Sequence, residues 1–323
     1  MKYDIITVGS AVMDVFLDTD VHEHGKEICY TIGAKIKVKD LKFSTGGGGT
    51  NTAVAFSKFG LKTGYIGKLG KDENAKVILR ELENEKVDFL GVKDAKGKEH
   101  TGYSVVLDSK EHDRTILTYK GINDKLKFSE LNKSIFDTKW FYLSSGNGDF
   151  LETQEKIVEK AVKIGIKIAY NMSLYQVEED SLKLKRILKN VDIFVLNKEE
   201  AEALIGSGGN LFEKLKRLGP GIVCITNGER GSEVYDGEMI YRSKARKVKV
   251  NEATGAGDAY ASGFVFGMIK FNNIKKAIQV GTLNAENVIQ HKGAKVGLLG
   301  WRELSLNVRK NPVKIEVGKY KNE

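Results

Sequence analysis

The segment Thr254-Gly255-Ala256-Gly257-Asp258-Ala259-Tyr260 combines residue types that can bind an anion and move a proton. Two glycines at the start of a predicted helix let backbone N–H groups approach a negatively charged atom, and the helix dipole adds partial positive charge there. Asp258 then lies in the first helical turn, where its carboxylate could take a proton from a hydroxyl beside the anion. A single Gly-x-Gly-Asp turn is as typical of an ordinary helix start, so the interpretation needs further motifs.

A run of four glycines, Gly46–Gly49, precedes Thr50-Asn51 and a predicted helix. Such a run is too flexible to be favoured for structure alone, so it indicates close approach of a ligand or a hinge. A dinucleotide site is disfavoured, because the glycines do not follow the first strand and no Gly-x-Gly-x-x-Gly is found there. A Walker Gly-x-x-x-x-Gly-Lys-Ser/Thr motif is missing from the whole sequence.

Two polar segments follow predicted strands at their carboxyl ends. They are Asn197-Lys198-Glu199-Glu200 and Thr226-Asn227-Gly228-Glu229-Arg230-Gly231. Ligands of open α/β sheets bind beyond the carboxyl ends of the strands, so both segments are candidates for a binding site. Each segment taken singly is more typical of a plain turn or a helix cap.

Strand-like apolar runs alternate with helix-like periods along the chain, which predicts repeated βαβ units and a parallel sheet covered by helices on both faces. The predicted strands are Asp4–Gly9, Thr63–Gly67, Lys139–Ser145, Lys167–Asn171, Asp192–Asn197 and Gly221–Asn227. The predicted helices are Asn51–Phe59, Asn74–Asn84, Leu151–Ile164, Leu182–Asn190, Leu211–Leu218, Gly257–Lys270 and Ile274–Gln290.

Two stretches break this alternation. Glu27–Lys42 has the pattern of an extended pair, and Gly102–Lys120 has that of a hairpin with a polar turn at Asp108–Asp113. Neither contains a helix between its strands, so both predict a small antiparallel sheet at the edge of the core. Such a sheet is too small to fold alone, and we expect it to cover a site or a partner.

Composition restricts the class of protein. The 323 residues carry a formal net charge of +9, with Lys spread along the chain among Glu, which favours a solvated mixed-charge surface over a nucleic-acid site. The sequence has neither a membrane-spanning apolar run nor a signal-peptide pattern, so we expect a soluble, cytoplasmic protein. Cys29 and Cys224 lie in apolar runs and are expected to be buried, and His22-x-His24 lacks a third metal ligand.

In their order and spacing, these motifs resemble the ribokinase (PfkB) family of carbohydrate and nucleoside kinases. Gly9-Ser10-x-x-x-Asp14 and Gly67-Lys68-x-Gly70-x-Asp72 extend the resemblance, which runs from about Asp4 to Leu299. It implies a ribokinase-like three-layer α/β core with a mostly parallel central sheet. It also implies a small antiparallel β lid, formed by inserts at about 15–45 and 98–121 within one domain spanning 1–323.

The resemblance implies an ATP-dependent kinase in which Asp258 is the base that deprotonates the acceptor hydroxyl. The backbone N–H groups of Gly255, Ala256 and Gly257 then form the anion hole for the transferring phosphoryl group. Acceptor-binding positions are Asp14, Gly47 and Asn51. ATP-binding positions are Asn197, Thr226, Gly228, Gly231 and Asn284, the last at the nucleobase pocket. Glu200 is implied to organise Mg²⁺ indirectly, together with Asn197.

Several alternatives stay open. A sugar acceptor is favoured over a nucleoside, because Asp14 and Asn51 suit a polyol-like ligand, and a ligand-binding protein without catalysis is disfavoured by the presence of Asp258. The family's usual Asp is Glu252 here, which leaves activation by K⁺ undecided. No nucleic-acid or membrane partner is expected, and a homodimer formed through the lid remains an option.

Overall fold

A computed structural model describes residues 1–19, 21–25, 27–94, 97–109 and 114–320. Within these ranges the strands are β1 (Tyr3–Val8), β2 (Val12–Thr19), β3 (Glu23–His24), β4 (Glu27–Ile28), β5 (Val38–Gly46), β6 (Thr63–Ile66), β7 (Lys68–Leu69), β8 (Val87–Phe89), β9 (Val92–Lys93), β10 (Gly102–Asp108), β11 (Arg114–Tyr119), β12 (Thr138–Leu143), β13 (Lys167–Asn171), β14 (Ile193–Asn197), β15 (Ile222–Thr226), β16 (Ser232–Tyr235), β17 (Met239–Ser243) and β18 (Ile315–Lys319). The α-helices are α1 (Gly48–Lys58), α2 (Glu73–Asn84), α3 (Asp149–Lys163), α4 (Leu174–Glu179), α5 (Ser181–Leu188), α6 (Lys198–Ile205), α7 (Leu211–Arg217), α8 (Ala256–Phe271), α9 (Ile274–Val288) and α10 (Trp301–Lys310).

The central sheet has the strand order β18-β17-β16-β15-β14-β13-β12-β1-β6-β8. Along the sheet, parallel pairing joins β8, β6, β1, β12, β13, β14 and β15 in that order. The sheet continues from β15 through β16, β17 and β18 in antiparallel pairings. All six predicted core strands lie in the parallel part, where burial on both faces produces the apolar runs that mark them in the sequence. The mostly parallel sheet is therefore confirmed.

Helices cover both faces of this sheet. Ile5 and Ile6 are neighbours on β1 but lie in different buried clusters, because successive strand residues point to opposite faces. Ile5 shares its cluster with residues of α1, α2, α8, α9 and α10, whereas Ile6 shares the other with residues of α3, α5, α6 and α7. The expected three-layer core is confirmed.

A second sheet, which we call the lid sheet, has the order β11-β10-β2-β5. The β10–β11 and β2–β5 pairings are antiparallel, and β2 and β10 are joined in parallel. The predicted hairpin is present as β10 and β11. Residues Lys110–Asp113 of its turn, which include His112, lie outside the described residues.

The prediction for Glu27–Lys42 is wrong in detail. Glu27–Ile28 pairs with Glu23–His24, residues 29–37 belong to no strand, and β5 begins only at Val38. β2 supplies the lid strand that the sequence pattern did not indicate. Much of β5 is exposed to solvent, so burial imposes little hydrophobic alternation on the lid. Cys29 is exposed rather than buried, whereas Cys224 is buried as expected.

The helix after the glycine run begins at Gly48, three residues earlier than predicted. A Cβ on Gly48 would lie 2.0 Å from Ser144 Oγ, and one on Gly49 would lie 2.6 Å from the carbonyl carbon of Gly9. These glycines therefore let the first turn of α1 pack directly against the ends of β1 and β12. Among the described residues, no helix combines the length and apolar character needed to cross a membrane.

Candidate active site

The glycine run and the Gly-x-Gly-Asp segment meet in space. Asn51 on α1 donates a hydrogen bond from Nδ2 to Asp258 Oδ2 on α8 at 2.8 Å, across 207 residues of sequence. The other polar side-chain atom, Asn51 Oδ1, is buried and has no hydrogen-bond partner among the described residues. A buried amide oxygen left in this way can accept a hydrogen bond from a ligand hydroxyl.

The surroundings of Asp258 suit a proton acceptor. Burial raises the pKa of its carboxyl above the ordinary value, while the Asn51 hydrogen bond and the charge of Lys295 lower it. The net effect is a pKa above the ordinary value, which makes the Asp258 carboxylate a stronger proton acceptor than an exposed one. A strong proton acceptor at this position is what the predicted role of Asp258 requires.

The turn before α8 has some of the features that an anion site needs. Gly255 has φ +80, and a Cβ there would lie 2.6 Å from Ala294 Cβ, so only glycine fits. Outside its chain neighbours and the backbone of its own helix, no described residue comes within 4 Å of a Cβ placed on Gly257, which leaves space beside the helix N-terminus. The Ala256 N–H donates to the Ala253 carbonyl at 3.2 Å, so this predicted anion-hole donor is engaged within its own turn.

Asp14 lies on β2 in the lid sheet. Its register partners are Ser44 on β5 and Ser104 on β10. Burial raises the pKa of Asp14, a hydrogen bond with Ser104 and the charge of Lys295 lower it, and the charge of Glu252 raises it. Asp14, a predicted acceptor-binding residue, is therefore attached to the lid sheet rather than to the core.

Glycines 46 and 47 make room for this arrangement. A Cβ on Gly46 would lie 2.0 Å from Asp14 Oδ2. Gly47 has φ +95, and its Cβ would lie 2.5 Å from the Ser10 carbonyl oxygen. Both requirements for glycine come from the protein's own atoms at the junction between β5 and α1.

Asn197 and Glu200 form a reciprocal capping box at the start of α6. The Glu200 N–H donates to Asn197 Oδ1 and the Asn197 N–H donates to Glu200 Oε2, each at 2.8 Å. Burial raises the pKa of Glu200 to about 7, against the Asn197 hydrogen bond and with help from the charge of Asp258. The segment is thus a helix cap, as its sequence suggests when taken singly. Glu200 also interacts electrostatically with Asp258, as expected of a binding-site residue.

A basic cleft of about 610 Å³ lies beside the Thr226–Gly231 segment. Its walls carry more cations than anions, which suits a polyanionic ligand such as a nucleotide. Its charged lining residues are Lys198, Arg230, Glu233, Arg242, Lys244, Arg246, Lys314 and Glu316. Lys198 follows Asn197 directly, so the two predicted nucleotide segments border one cleft.

The predicted ATP residues differ in what they offer a ligand. Gly228 has φ +49 and open space around its Cβ position, whereas a Cβ on Gly231 would lie 2.0 Å from the Ser243 carbonyl oxygen. Gly231 therefore has a structural reason to be glycine. Thr226 Oγ1 lies 3.5 Å from the Leu196 carbonyl oxygen at the ends of β15 and β14.

Asn284 lies inside the protein rather than at the cleft. Its side chain is 0% exposed, Nδ2 donates to the Ala259 carbonyl at 2.8 Å, and Oδ1 accepts from the Leu299 N–H at 3.1 Å. Both polar ends are used to join α8 and α9 to the following loop. Its side chain therefore cannot contact a nucleobase in this conformation, and we leave it out of the proposed ATP site.

Two polar groups at this centre were not singled out from the sequence. Lys295 is 7% exposed, and its charge acts on Asp14 and Asp258. Tyr142 is buried with an unpartnered hydroxyl, and burial together with the charges of Asp258 and Glu200 raises its pKa well above the ordinary value. Lysine is normally exposed and Tyr142 lies in an apolar strand, so neither position carries a signal in the sequence.

Comparison with known proteins identifies the family of this chain. The model of the pfkB family of carbohydrate kinases matches residues 2–299. An uncharacterized sugar kinase of Archaeoglobus fulgidus is 30% identical over 251 residues, covering 76% of this chain and 98% of its own. The ATP-dependent 6-phosphofructokinase of Thermoanaerobacterium thermosaccharolyticum is 25% identical over 308 residues, covering 92% and 91%.

Solved structures have the same fold. Arabidopsis thaliana ribokinase complexed with ribose and ATP superposes with a TM-score of 0.79 at 21% identity, covering 95% of this chain and 98% of its own. The nucleoside kinase of Methanocaldococcus jannaschii superposes with a TM-score of 0.78 at 22% identity, covering 96% and 99%. The family match extends over nearly all of the described core and both motif-bearing helices, and this chain belongs to the pfkB family of carbohydrate kinases.

Proposed function

We propose that this kinase transfers the γ-phosphoryl group of ATP to a hydroxyl of a sugar, with Asp258 as the general base. The observation that carries the proposal is the Asn51–Asp258 pair, in which Asn51 Oδ1 is left unpartnered beside the carboxylate. A sugar bound there can donate a hydrogen bond from one hydroxyl to Asn51 Oδ1, while a second hydroxyl of the same sugar gives its proton to Asp258 Oδ1. Removing the proton as the oxygen attacks phosphorus is the work of the base in phosphoryl transfer.

The anion site lies next to this base. The N-terminus of α8 presents partial positive charge and the open space at Gly257, which suit the charge on the transferring phosphoryl group. The Ala256 N–H joins this site only if it exchanges the Ala253 carbonyl for a phosphoryl oxygen. Gly255 has a left-handed backbone conformation, and Ala294 leaves no room for a side chain there.

The nucleotide is proposed to lie in the basic cleft, with Thr226 and Gly228 at its edge and Asn197 beside Lys198. The charges of Asp258 and Glu200, two half-buried carboxyl groups, act unfavourably on each other, which suits a divalent cation with phosphate oxygens close by. Glu200 would hold Mg²⁺ through a water molecule while its Oε2 caps α6. Bound Mg²⁺ supplies charge neutralisation to the phosphates.

A monovalent cation fits the loop before α8. Glu252 Oε1 and Thr254 Oγ1 are both buried without a hydrogen-bond partner, and Glu252 Oε2 accepts from the Gly293 N–H at 2.8 Å. Oxygen ligands of this kind suit K⁺, whose bound charge would lie beside the anion site. Replacing K⁺ by choline at constant ionic strength should reduce turnover severalfold, and unchanged turnover would exclude this cation role.

A sugar is preferred to a nucleoside as the acceptor. Asp14, Asn51 and Ser104 are hydrogen-bonding groups that suit several hydroxyls of a polyol. The A. fulgidus relative is a sugar kinase, and 5-dehydro-2-deoxygluconokinases of Bacillus and Clostridium are 26–28% identical to this chain. These names support the sugar class but leave the individual sugar open.

The assay for this proposal is ADP release across a panel of sugars, sugar acids and nucleosides, with and without Mg²⁺. We expect Mg²⁺-dependent ADP release with at least one sugar, accompanied by the phosphorylated product in mass spectrometry. Release with nucleosides alone would replace the sugar by a nucleoside acceptor. No transfer to any hydroxyl compound, with ATP still bound, would favour a ligand-binding protein on this fold.

A further inference from the structure

Lys295 lies in the segment between α9 and α10 and buries its ammonium group. Its Nζ donates to Thr45 Oγ1 at 3.0 Å and to Glu81 Oε2 at 2.6 Å. Thr45 Oγ1 also donates to Glu81 Oε2, so the three groups form a closed triangle of hydrogen bonds. This triangle joins the last part of lid strand β5, the core helix α2 and the segment after α9.

One ammonium group here faces several carboxylates. Glu81 contacts it from α2, and the charges of Asp14 on β2 and Asp258 on α8 also stabilise its protonated form. Burial is the largest influence on Lys295 and lowers its pKa, while these three carboxylates raise it. The charge of Glu252 raises the pKa of Asp14, whereas the charge of Lys295 lowers it. Lys295 is therefore a counter-charge shared between the lid carboxylate and the base.

The same short segment touches both the lid and the anion site. The Lys292 carbonyl accepts from Lys42 Nζ on β5 at 2.6 Å. On the other side, the Gly293 N–H donates to Glu252 and Ala294 packs against Gly255. A change in the position of β5 at Thr45 would therefore reach Lys295 directly.

We propose that Lys295 is a positioning residue for the phosphoryl transfer, because its ammonium joins lid strand β5 at Thr45 to α2 at Glu81, in the segment that packs on Gly255. The inference rests on the proposed function of Asp258. The acceptor must be held beside the base, and the charge of Lys295 also lowers the pKa of Asp258, so its loss should reach both the lid and the base.

The test uses three variants of the full chain. Lys295→Met removes the charge at similar length, and Lys295→Arg keeps it. Lys292→Met is the matched control, because Lys292 is exposed in the same segment. Glu200, with a pKa of about 7, also interacts with Asp258, so both carboxyls contribute to the acid limb of the turnover profile. In Lys295→Met we expect the part that Asp258 contributes to move to higher pH, since the Asp258 carboxylate loses a stabilising positive charge. Turnover near neutral pH should fall about ten- to hundredfold, and the KM for ATP should change less than about threefold.

A purely structural role is separated by Lys295→Met combined with Glu81→Gln. Removing both charges avoids an unpaired buried carboxylate, so the thermal midpoint should recover relative to Lys295→Met alone. If Lys295 only stabilises the fold, turnover and its pH profile should recover as well. We expect the acid limb to stay displaced. Full recovery of the wild-type profile, or an unmoved limb in Lys295→Met, would overturn the inference.

A second readout does not depend on turnover. Carboxyl ¹³C NMR, with the Asp258 signal assigned by its loss in Asp258→Asn, follows protonation of that side chain directly. Its midpoint should rise in Lys295→Met and not in Lys292→Met, and an unchanged midpoint would refute the inference even if no acceptor were found. Failure of the proposed function alone would appear as wild-type protein that transfers no phosphoryl group while the midpoint still moves.

Discussion

At the scale of single residues, Asn51 links the two halves of the proposed chemistry. Its Nδ2 stabilises the ionised form of Asp258, and its Oδ1 is free for the acceptor. One side chain thus influences both the binding of the acceptor and the protonation of the base. Its removal should change two kinetic parameters with different dependence on pH.

We predict that Asn51→Ala raises the KM for the acceptor and has little effect on the KM for ATP. The lost hydrogen bond to a buried hydroxyl is worth about 1–3 kcal/mol, which is roughly a five- to 150-fold change in KM. The pKa of Asp258 should also rise without the Asn51 donor, so the loss of turnover should grow as the pH falls. Steady-state kinetics for both substrates across the pH range measures these effects. An increase confined to the KM for ATP would instead place the glycine run at the nucleotide.

At the scale of elements, the junction between β5 and α1 connects the lid sheet to the core. Gly47 lies at this junction with φ +95 and contacts the Ser10 carbonyl. We predict that Gly47→Ala cuts transfer strongly, leaves ATP affinity nearly intact and raises the ratio of ATP hydrolysis to transfer. The physical reason is that a displaced lid no longer excludes water from the base.

Gly60→Ala is the matched control for this variant. Gly60 has φ +88 after the end of α1, but nothing lies within 4 Å of its Cβ position. It carries the same left-handed penalty of about 1–2 kcal/mol without the steric contact, so stability should fall and transfer should not. Equal loss of transfer in both variants would mean that backbone strain, and not the lid junction, is responsible.

Closure of the lid can be measured by hydrogen exchange with and without the acceptor. We expect amide protection to rise in β2, β5, β10 and β11 when the acceptor binds, because Asp14 then holds the lid against the core. Protection that stays constant in these strands would contradict a lid.

The elements differ in how far the sequence predicts them. Buried strands such as Lys167–Asn171 were located to the residue, because burial on both faces of the core enforces a continuous apolar run. Residues 29–37 were not, since they belong to no strand and the neighbouring β5 is largely exposed, which constrains its sequence less. The same holds for Cys29, whose apolar neighbours do not lie in a strand of the core.

At the scale of the whole molecule, the site depends on contacts that only the fold creates. The roles of Asp258 and Asn51 could be predicted because their motifs have a characteristic spacing. Lys295 could not, because its burial depends on Glu81 from a helix 214 residues earlier in the chain. Asn284 was assigned by position alone, whereas the packing of α8 on α9 encloses it completely.

The lid sheet also offers an apolar face for a second copy of the chain. Phe43 on β5 and Leu117 on β11 are 60% and 56% exposed. They lie in one row across the four strands with Val15 on β2 and Val105 on β10. This row is on the side of the sheet opposite Asp14. We propose that two such faces pack together, since identical apolar rows are self-complementary in a two-fold dimer.

We predict that light scattering after size exclusion gives a dimer for the wild type and a monomer for Phe43→Glu. A charge placed in the centre of an apolar interface should oppose association. Lys275→Glu, at an exposed lysine of α9 outside the lid sheet, is the control and should remain dimeric. A monomeric wild type would remove the interface and leave the proposed catalysis unaffected.

The measurement closest to the central claim is single-turnover phosphoryl transfer by Asp258→Asn with a sugar that the wild type phosphorylates. Asp149→Asn is its control, because Asp149 is also an acidic residue in a first helical turn, at α3, but is exposed. We predict that Asp258→Asn loses transfer by about a hundred- to ten-thousandfold with ATP affinity nearly unchanged, while Asp149→Asn transfers normally. Transfer by Asp258→Asn within about tenfold of the wild type would mean that Asp258 is not the base and only complements its helix dipole.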